Sequence, residues 1–481
     1  MQSLFEGLEN QRLWSYFSEL SQIPRESGNE EGVRQFLLAF AKKNNLVAIV
    51  DTIGNVILRK KAYPGYEKRP SVALQGHMDM VCVKTEESDH DFATDPIILV
   101  RDGDTLHAKD TTLGGDNGIA VAMIMDILAD PEGKHGPLEA IFTVSEETGL
   151  TGAFNIEKDM VESRLLINLD SEEEGVLYIG CAGGLEVDAK LPAKLETIPS
   201  DYEGFCLTAN GLLGGHSGGE IHKQRANAIK VVARALASVK TKMLFACEGG
   251  TKRNVIPSIC SMSFAAPKSE RKAIEEAVQK SFAEQKDEFA ISDPGLTLEL
   301  KNAKLPKQAA SSAQSEAFIR SLYIAPHGVD AMSMTIPGIV ETSSNLAIVR
   351  FEDGIFSVTS SHRSSILSSR DDVAHRFGQA LVSCGASVEY VGAYPSWKPN
   401  PDSALTKFCA KAYEEYAHKK PVITAIHAGL ECGIINSKVP GMDSVSFGPN
   451  MADVHSVKER LSLSSVERIS GFTRHLLSII E

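Results

Sequence analysis

Three short apolar runs, each closing on acids or an imidazole, constrain this chain most. They read "SVALQGHMDM" (71–80), "LEAIFTVSEETG" (138–149) and "RLLINLDSEEEG" (164–175). Each reads as an apolar strand running into polar residues at its C-terminal end. Helical segments lie between and before them. Residues 8–20 and 30–44 repeat apolar positions at helical spacing, with Val33, Phe36, Leu37 and Phe40 on one face. "NGIAVAMIMDILAD" (117–130) leaves a Gly-rich loop as a helix, and "LVAIV" and "NVILRK" are short strands around a turn at Ile53-Gly54. Strands alternating with helices predict an α/β domain with a mixed, mostly parallel sheet, which places ligands at the carboxyl ends of its strands.

The texture changes after about residue 186. "GGLEVDAKLPAK" and "GFCLTANGLLG" alternate apolar with polar, and "HKQRANAIKVVARALASV" is an amphipathic helix. "SICSMSFAAP" and "LTLELKNAK" are further strands, and residues 267–286 and 312–324 further helices. Past "YPSWKPNPDS" the pattern returns to helix, strand, helix. The expected organisation is one discontinuous domain, residues 1–186 and 396–481, interrupted by an α+β domain over 187–395.

The ends of the first-half elements carry the chemistry: His77 and Asp79 in "GHMD", Asp116 in "LGGDNG", Glu146 and Glu147 in "VSEETG", and Asp170 in "INLDSEEEG". Taken singly, an Asp after a strand is more often a cap or turn residue, and a Glu pair is usually solvated. Gathered at one sheet edge, with no basic residue among them, they would repel one another unless cations neutralise them. The residue types suit two zinc-like ions sharing a carboxylate. In His-x-Asp the carboxylate can fix the imidazole's tautomer, and in Glu-Glu one side chain can ligate while the other stays free as a general base.

Composition narrows the partners. The net charge of −14 over 481 residues, with no long basic block, disfavours nucleic acid and anionic membranes. No window approaches the apolar length of a bilayer span, and the first residues lack the apolar core of a signal peptide. Eight cysteines stand singly without a C-x-x-C pair, so a structural zinc finger is disfavoured. Cys181, Cys206 and Cys260 are expected as buried free thiols in a reducing, cytoplasmic setting.

"GGHSGGEIH" (214–222) contains a G-x-S-x-G match that would make Ser217 the nucleophile of a serine hydrolase. A helix follows, and Asp443 and His455 come later in the required order. However, "TANGLLGG" is a poor buried strand and no H-G-G-G loop lies upstream.

Together with "TTLGGDNGI", "GGHSGGEIH", "HAGLECG" and "GPNMADVHS", the acid-tipped runs resemble the aminoacyl-histidine dipeptidases. These form a branch of the two-zinc exopeptidase clan, which also holds carboxypeptidases and acyl-amino-acid deacylases. The resemblance is dense over 74–222 and 425–456 and thin across 265–320. It implies a catalytic domain of the zinc-exopeptidase type with the inserted domain as a lid. His77, Asp116 and Asp170 would hold one divalent ion, and Asp116, Glu147 and His455 the other. The ions would be zinc, with cobalt or manganese as alternatives. Asp79 would orient His77, Glu146 would take the proton of the attacking water, and His216 of the lid would help stabilise the oxyanion. Arg363 is a candidate for the substrate carboxylate, with a solvated arginine as the alternative. Asn254, His427 and Glu431 would line the pocket, although His427 and Glu431 could instead brace a Gly-containing loop.

The implied activity is a metallo-dipeptidase acting on dipeptides with a free amino terminus, preferring a C-terminal histidine. A deacylase or tripeptidase of the same clan is the nearer alternative. A non-enzymatic binding protein would need a lost catalytic position, and none is lost. Lids of this clan often carry a dimer interface, which leaves open a homodimer and whether His216 acts within or across subunits.

Overall fold

The computed structural model describes residues 2–481 and divides the chain into two compact units. The first comprises Met1–Cys181, Trp397–Ala425 and Leu430–Glu481; the second comprises Ala182–Ser396 and Ile426–Gly429.

The first unit is built on an eight-stranded sheet. Its strands are β1 (Val47–Val50), β2 (Val56–Lys60), β3 (Val72–His77), β4 (Leu138–Thr143), β5 (Leu165–Asn168), β6 (Val176–Cys181), β7 (Val422–Ile426) and β8 (Asp443–Ser446). They lie in the order β1-β2-β4-β3-β5-β8-β6-β7. The four central strands run parallel, while β2 joins β4 and β6 joins β8 antiparallel. Every residue of β3 and β4 is buried, as their unbroken apolar runs require. The apolar "LVAIV" run instead forms an edge strand whose residues are mostly exposed. Helices α1 (Gln11–Leu20), α2 (Glu31–Lys43) and α3 (Gly115–Ala129) pack around this sheet, and α3 is apolar on all sides and almost wholly buried. The C-terminal helix Leu463–Ile479 closes the same core with Phe472 and Leu476, beside Trp14, Phe17 and Phe447.

A small four-stranded sheet was not foreseen. It joins the hairpin Leu99–Asp102 and Thr105–Ala108 to Arg460–Ser462 and Met451–Ala452. These strands are only two to four residues long, too short for a period to register. Their consequence is local: the connection from Ala452 to Arg460, which carries His455, is pinned at both ends.

The second unit is a nine-stranded antiparallel sheet. Eight strands follow the order 297–303, 202–210, 260–267, 243–249, 340–352, 355–364, 183–192, 387–394, and strand 328–332 pairs beside 340–352. Helices Ala228–Ala237, Ser312–Ile324 and Leu367–Val382 bury Val231, Phe318 and Phe377 against Phe205, Phe264 and Phe356 of the sheet. The helix expected over 267–286 runs from Arg271 to Glu288, after a single 3-10 turn. The one expected within 222–239 starts at Ala228, where the Asn227 side chain accepts from the Ile229 and Lys230 amides. All eight cysteines are free. Cys181 and Cys260 are buried, whereas Cys206 is half-buried, because Phe205 and Leu207 take the core face of its strand. No helix among the described residues is long and apolar enough to cross a membrane.

Candidate active site

In the first unit the acid-tipped ends meet. The register sets His77 opposite Thr143 and Gln75 opposite Asn168, so the ends of β3, β4 and β5 are level. His77 closes β3, and its Nε2 lies 3.1 Å from Asp116 Oδ1 and 3.4 Å from Asp170 Oδ1. Asp116 is not at a strand end; it lies in the first turn of α3, with non-helical φ and ψ. Its other oxygen, Oδ2, lies 3.0 Å from His455 Nε2, which is 3.1 Å from Glu147 Oε1. One carboxylate therefore faces two imidazoles, one through each oxygen.

Ligand atoms of His77, Asp116 and Asp170 lie within 4.8 Å of one another, as do those of Asp116, Glu147 and His455, and those of His77, Glu146 and Glu147. Imidazole nitrogen and carboxylate oxygen are the donor types that zinc and similar divalent ions take. The cluster fits such an ion chemically as well as geometrically.

The surrounding chain holds these groups still. Asp79 is wholly buried, and its Oδ1 lies 3.3 Å from His77 Nδ1. The same carboxylate accepts from Ser27 Oγ at 2.7 Å and from the Glu146 and Glu147 amides at 3.0 and 3.2 Å. Asp79 thus lies against one imidazole and holds the backbone of the Glu-Glu pair. Ser145, just before the pair, has φ of 49° and gives its amide and hydroxyl to Glu30. Asn117 accepts from the His77 amide and donates to Leu169 O, tying β3 to the end of β5. Beneath lies a buried polar row, in which Glu431 Oε2 accepts from Gln75 Nε2 at 2.5 Å and Thr143 Oγ1 at 2.6 Å. Glu431 is wholly buried behind the cluster.

Electrostatics follow from this crowding. Burial, reinforced by the charges of Asp170, Glu431 and Glu147, raises the Glu146 carboxyl well above its ordinary range. Burial likewise pushes Asp170 and Glu431 up to about 7. Hydrogen bonds to Asp116 and Glu147 push His455 up to about 11. His77 is raised by Asp170, Asp116 and Asp79 against its burial, and its hydrogen bond and charge lower Asp79 to about 2 despite that group's burial. Such mutual shifts mark a site short of positive charge.

None of the four gathered ends carries a basic residue, but one stands beside them. Buried Arg25 lies at the base of the cluster, donating to Met78 O at 3.2 Å, Asp79 O at 2.9 Å and Gly114 O. Its hydrogen bonds go to backbone carbonyls. Neither "IPRES", with Arg25, nor "VKERL", with Glu459, carries a local signal of a place beside this cluster.

His216, Asn254, Arg363 and His427 belong to the second unit. His216 is exposed, and its Nδ1 accepts from the Gly218 and Gly219 amides at 3.3 and 3.0 Å. Those bonds leave the neutral ring's proton on Nε2. A Cβ at Gly218 would lie 2.7 Å from His427 O, which explains that glycine. His427 Nε2 lies 2.7 Å from Ser343 Oγ, and Ser343 pairs across the sheet with Arg363. Burial, with the Arg363 charge, drives His427 down to about 3. Arg363 is half-buried and donates to Tyr394 Oη at 2.9 Å. Exposed Asn254 gives its carbonyl to the Ser217 amide at 2.8 Å.

Ser217 does not have the environment of a nucleophile. It is 2% exposed and its Oγ has no hydrogen-bond partner among the described residues. The strand before it is two residues long, and only a 3-10 turn follows directly. Asp443 instead accepts from Ser403 Oγ and Leu405 N, while His455 lies on Asp116 and Glu147.

Known proteins share this arrangement of chain. The cytosol non-specific dipeptidase of Escherichia coli (strain K12) is 38% identical over 462 residues, covering 95% of each chain. The crystal structure of the aminoacylhistidine dipeptidase from Vibrio alginolyticus superposes with a TM-score of 0.91 at 36% identity, over 99% of this chain and 98% of that one. A tripeptidase from Staphylococcus aureus shares the fold at a TM-score of 0.58 and 16% identity, over 98% and 99% of the two chains. The family described as Peptidase family M20/M25/M40 matches residues 73–478, spanning both acid-tipped halves of the site, and the chain belongs to that family.

Proposed function

We propose that this protein is a metal-dependent dipeptidase that hydrolyses dipeptides with a free amino terminus, with a preference for a C-terminal histidine. The observation that carries the proposal is Asp116, whose two oxygens each face a different imidazole. His77 and Asp170 would complete one ion's ligands, and Glu147 and His455 the other's. The names of the Escherichia coli and Vibrio alginolyticus relatives support the dipeptide substrate. Zinc suits the nitrogen and oxygen donors, with cobalt and manganese as competitors set by availability. The free cysteines and the cytosolic relative support a cytoplasmic setting.

Held by these residues, a pair of divalent ions would supply Lewis acidity toward the peptide carbonyl and the attacking water. Glu146 accepts that water's proton and passes it to the leaving amine. The same carboxyl serves first as base and then as acid. Asp79 holds His77 in one tautomer and fixes the backbone of Glu146. His216 offers Nε2–H to the carbonyl oxygen as it becomes an anion, with the tautomer set by the Gly218 and Gly219 amides. Arg363 is assigned to the substrate carboxylate, with Asn254 and His427 as further substrate contacts. Glu431 acts from beneath, keeping Gln75 and Thr143 in place.

A panel of dipeptides, tripeptides and N-acyl amino acids, assayed after loading with zinc, cobalt or manganese, tests the proposal. Release of amino acids from free dipeptides, fastest for Xaa-His, is expected. Cleavage of acyl amino acids with none of dipeptides would make the protein a deacylase. Mixing inactive Glu146→Gln and His216→Ala chains tests the assembly, because recovered activity requires a homodimer in which His216 acts across subunits.

A further inference from the structure

The loop that delivers Asp116 is gripped from two sides. Glu459 is 3% exposed, and its carboxylate accepts from four consecutive backbone amides: Leu113 and Gly114 through Oε2 at 2.8 and 3.0 Å, Gly115 and Asp116 through Oε1 at 2.8 and 3.2 Å. Arg25 takes the same loop by its Gly114 carbonyl and ties it to the carbonyls of Met78 and Asp79, just past β3. The glycines are what such a grip requires. Gly114 has φ of 66°, and a Cβ there or at Gly118 would collide with the Arg25 guanidinium. At Gly115 a Cβ would lie 3.2 Å from Glu459 Oε1.

Glu459 is also four residues beyond His455, in the connection pinned between Met451–Ala452 and Arg460–Ser462. One short segment therefore reaches Asp116 twice: His455 meets its carboxylate, and Glu459 holds its backbone. We infer that Glu459 and Arg25 are positioning residues for the bridging carboxylate, clamping its loop so that both ligand sets are preformed before any ion binds. The inference rests on Asp116 being the shared ligand. A free Asp116 side chain would have to be ordered at the moment of binding, at a cost in affinity; a clamped one would not.

The test is zinc binding to the full-length apoprotein, read as stoichiometry and as affinity in competition with a chromophoric chelator. Glu459→Gln keeps the side-chain size but sets an NH₂ group against backbone N–H donors. It is expected to fold, to bind zinc about 10- to 100-fold more weakly, and to lose kcat in proportion to lost occupancy at limiting zinc. Asp126→Asn is the control. Asp126 is buried toward the far end of α3 and pairs with Arg12 and Arg474, so its loss weakens the helix without touching the loop. It should lower Tm and leave zinc affinity unchanged. An unaltered zinc isotherm for Glu459→Gln overturns the clamp, as does equal weakening by Asp126→Asn at matched loss of Tm. If Glu459→Gln does not fold, Arg25→Lys carries the same comparison, keeping the charge and giving up the forked contacts. Asp116→Asn separates the two readings. If it retains both ions at full affinity, the shared-ligand assignment fails; if it loses an ion while Glu459→Gln does not, only the clamp fails.

Discussion

Asp170→Asn should stabilise the metal-free protein above neutral pH while weakening the zinc-loaded one. The Asp170 side chain is 7% exposed and its carboxyl is pushed by burial up to about 7, against 3.8 ordinarily. A carboxyl raised in this way contributes fully to stability only below its unfolded value, near 4, and loses that contribution as pH climbs through about 7. Between pH 5 and pH 8 about two pH units of that rise operate, or about 3 kcal/mol at ~1.4 kcal/mol per unit. Glu146 and the other raised groups share the protons, so Asp170→Asn should recover about 1–3 kcal/mol. Buried His327, His362 and His427 are lowered to about 3 and act with the opposite sign, adding stability as pH rises toward 6.5. Comparing variant with wild type at each pH cancels them.

The assay is urea unfolding of chelator-stripped protein at pH 5 and pH 8, repeated in excess zinc. The stability of Asp170→Asn relative to wild type should rise by about 1–3 kcal/mol between pH 5 and pH 8 without metal. In zinc the order should reverse, since wild type gains more from ligand binding. A pH-independent difference between the two apoproteins would refute the reasoning, because burial would then not raise the Asp170 carboxyl.

Three further outcomes are expected. Glu146→Gln should lower kcat by about 10²–10⁴-fold with zinc content near wild type by elemental analysis, and loss of metal would make Glu146 a ligand. His216→Ala should cost about 10²–10³-fold in kcat with both ions retained, while Ser217→Ala, which removes an unpartnered hydroxyl, should stay near wild type in both kcat and Tm. Arg363→Met should raise KM for dipeptides by at least about tenfold and leave the zinc isotherm unchanged; an unchanged KM would return Arg363 to a purely structural contact with Tyr394.

The sequence by itself determined the strands that end in chemistry. Runs such as 72–77 and 138–143 are apolar at every position because both faces are covered, so burial is written into local composition. His77, the Glu146-Glu147 pair and Asp170 follow as the polar residues where those runs stop. The return of the first pattern near residue 396 reflects the same local rule, since each unit has its own core and its own period. Exposure was less legible: the apolar "LVAIV" run lies on a sheet edge, because edge position depends on which strand finds which neighbour.

Tertiary structure decided the rest. The order β2-β4-β3-β5-β8 is not sequential, and that order levels the three acid-tipped ends. His455 meets Asp116 across 339 residues, and nothing local separates it from twelve other histidines. Glu459 and Arg25 grip a loop hundreds of residues from one and tens from the other. Periodicity reports which face of an element is buried, and it carries no information about the partner across the interface. A side-chain cluster assembled from several loops is a property of that pairing, so its members come together only in the folded chain.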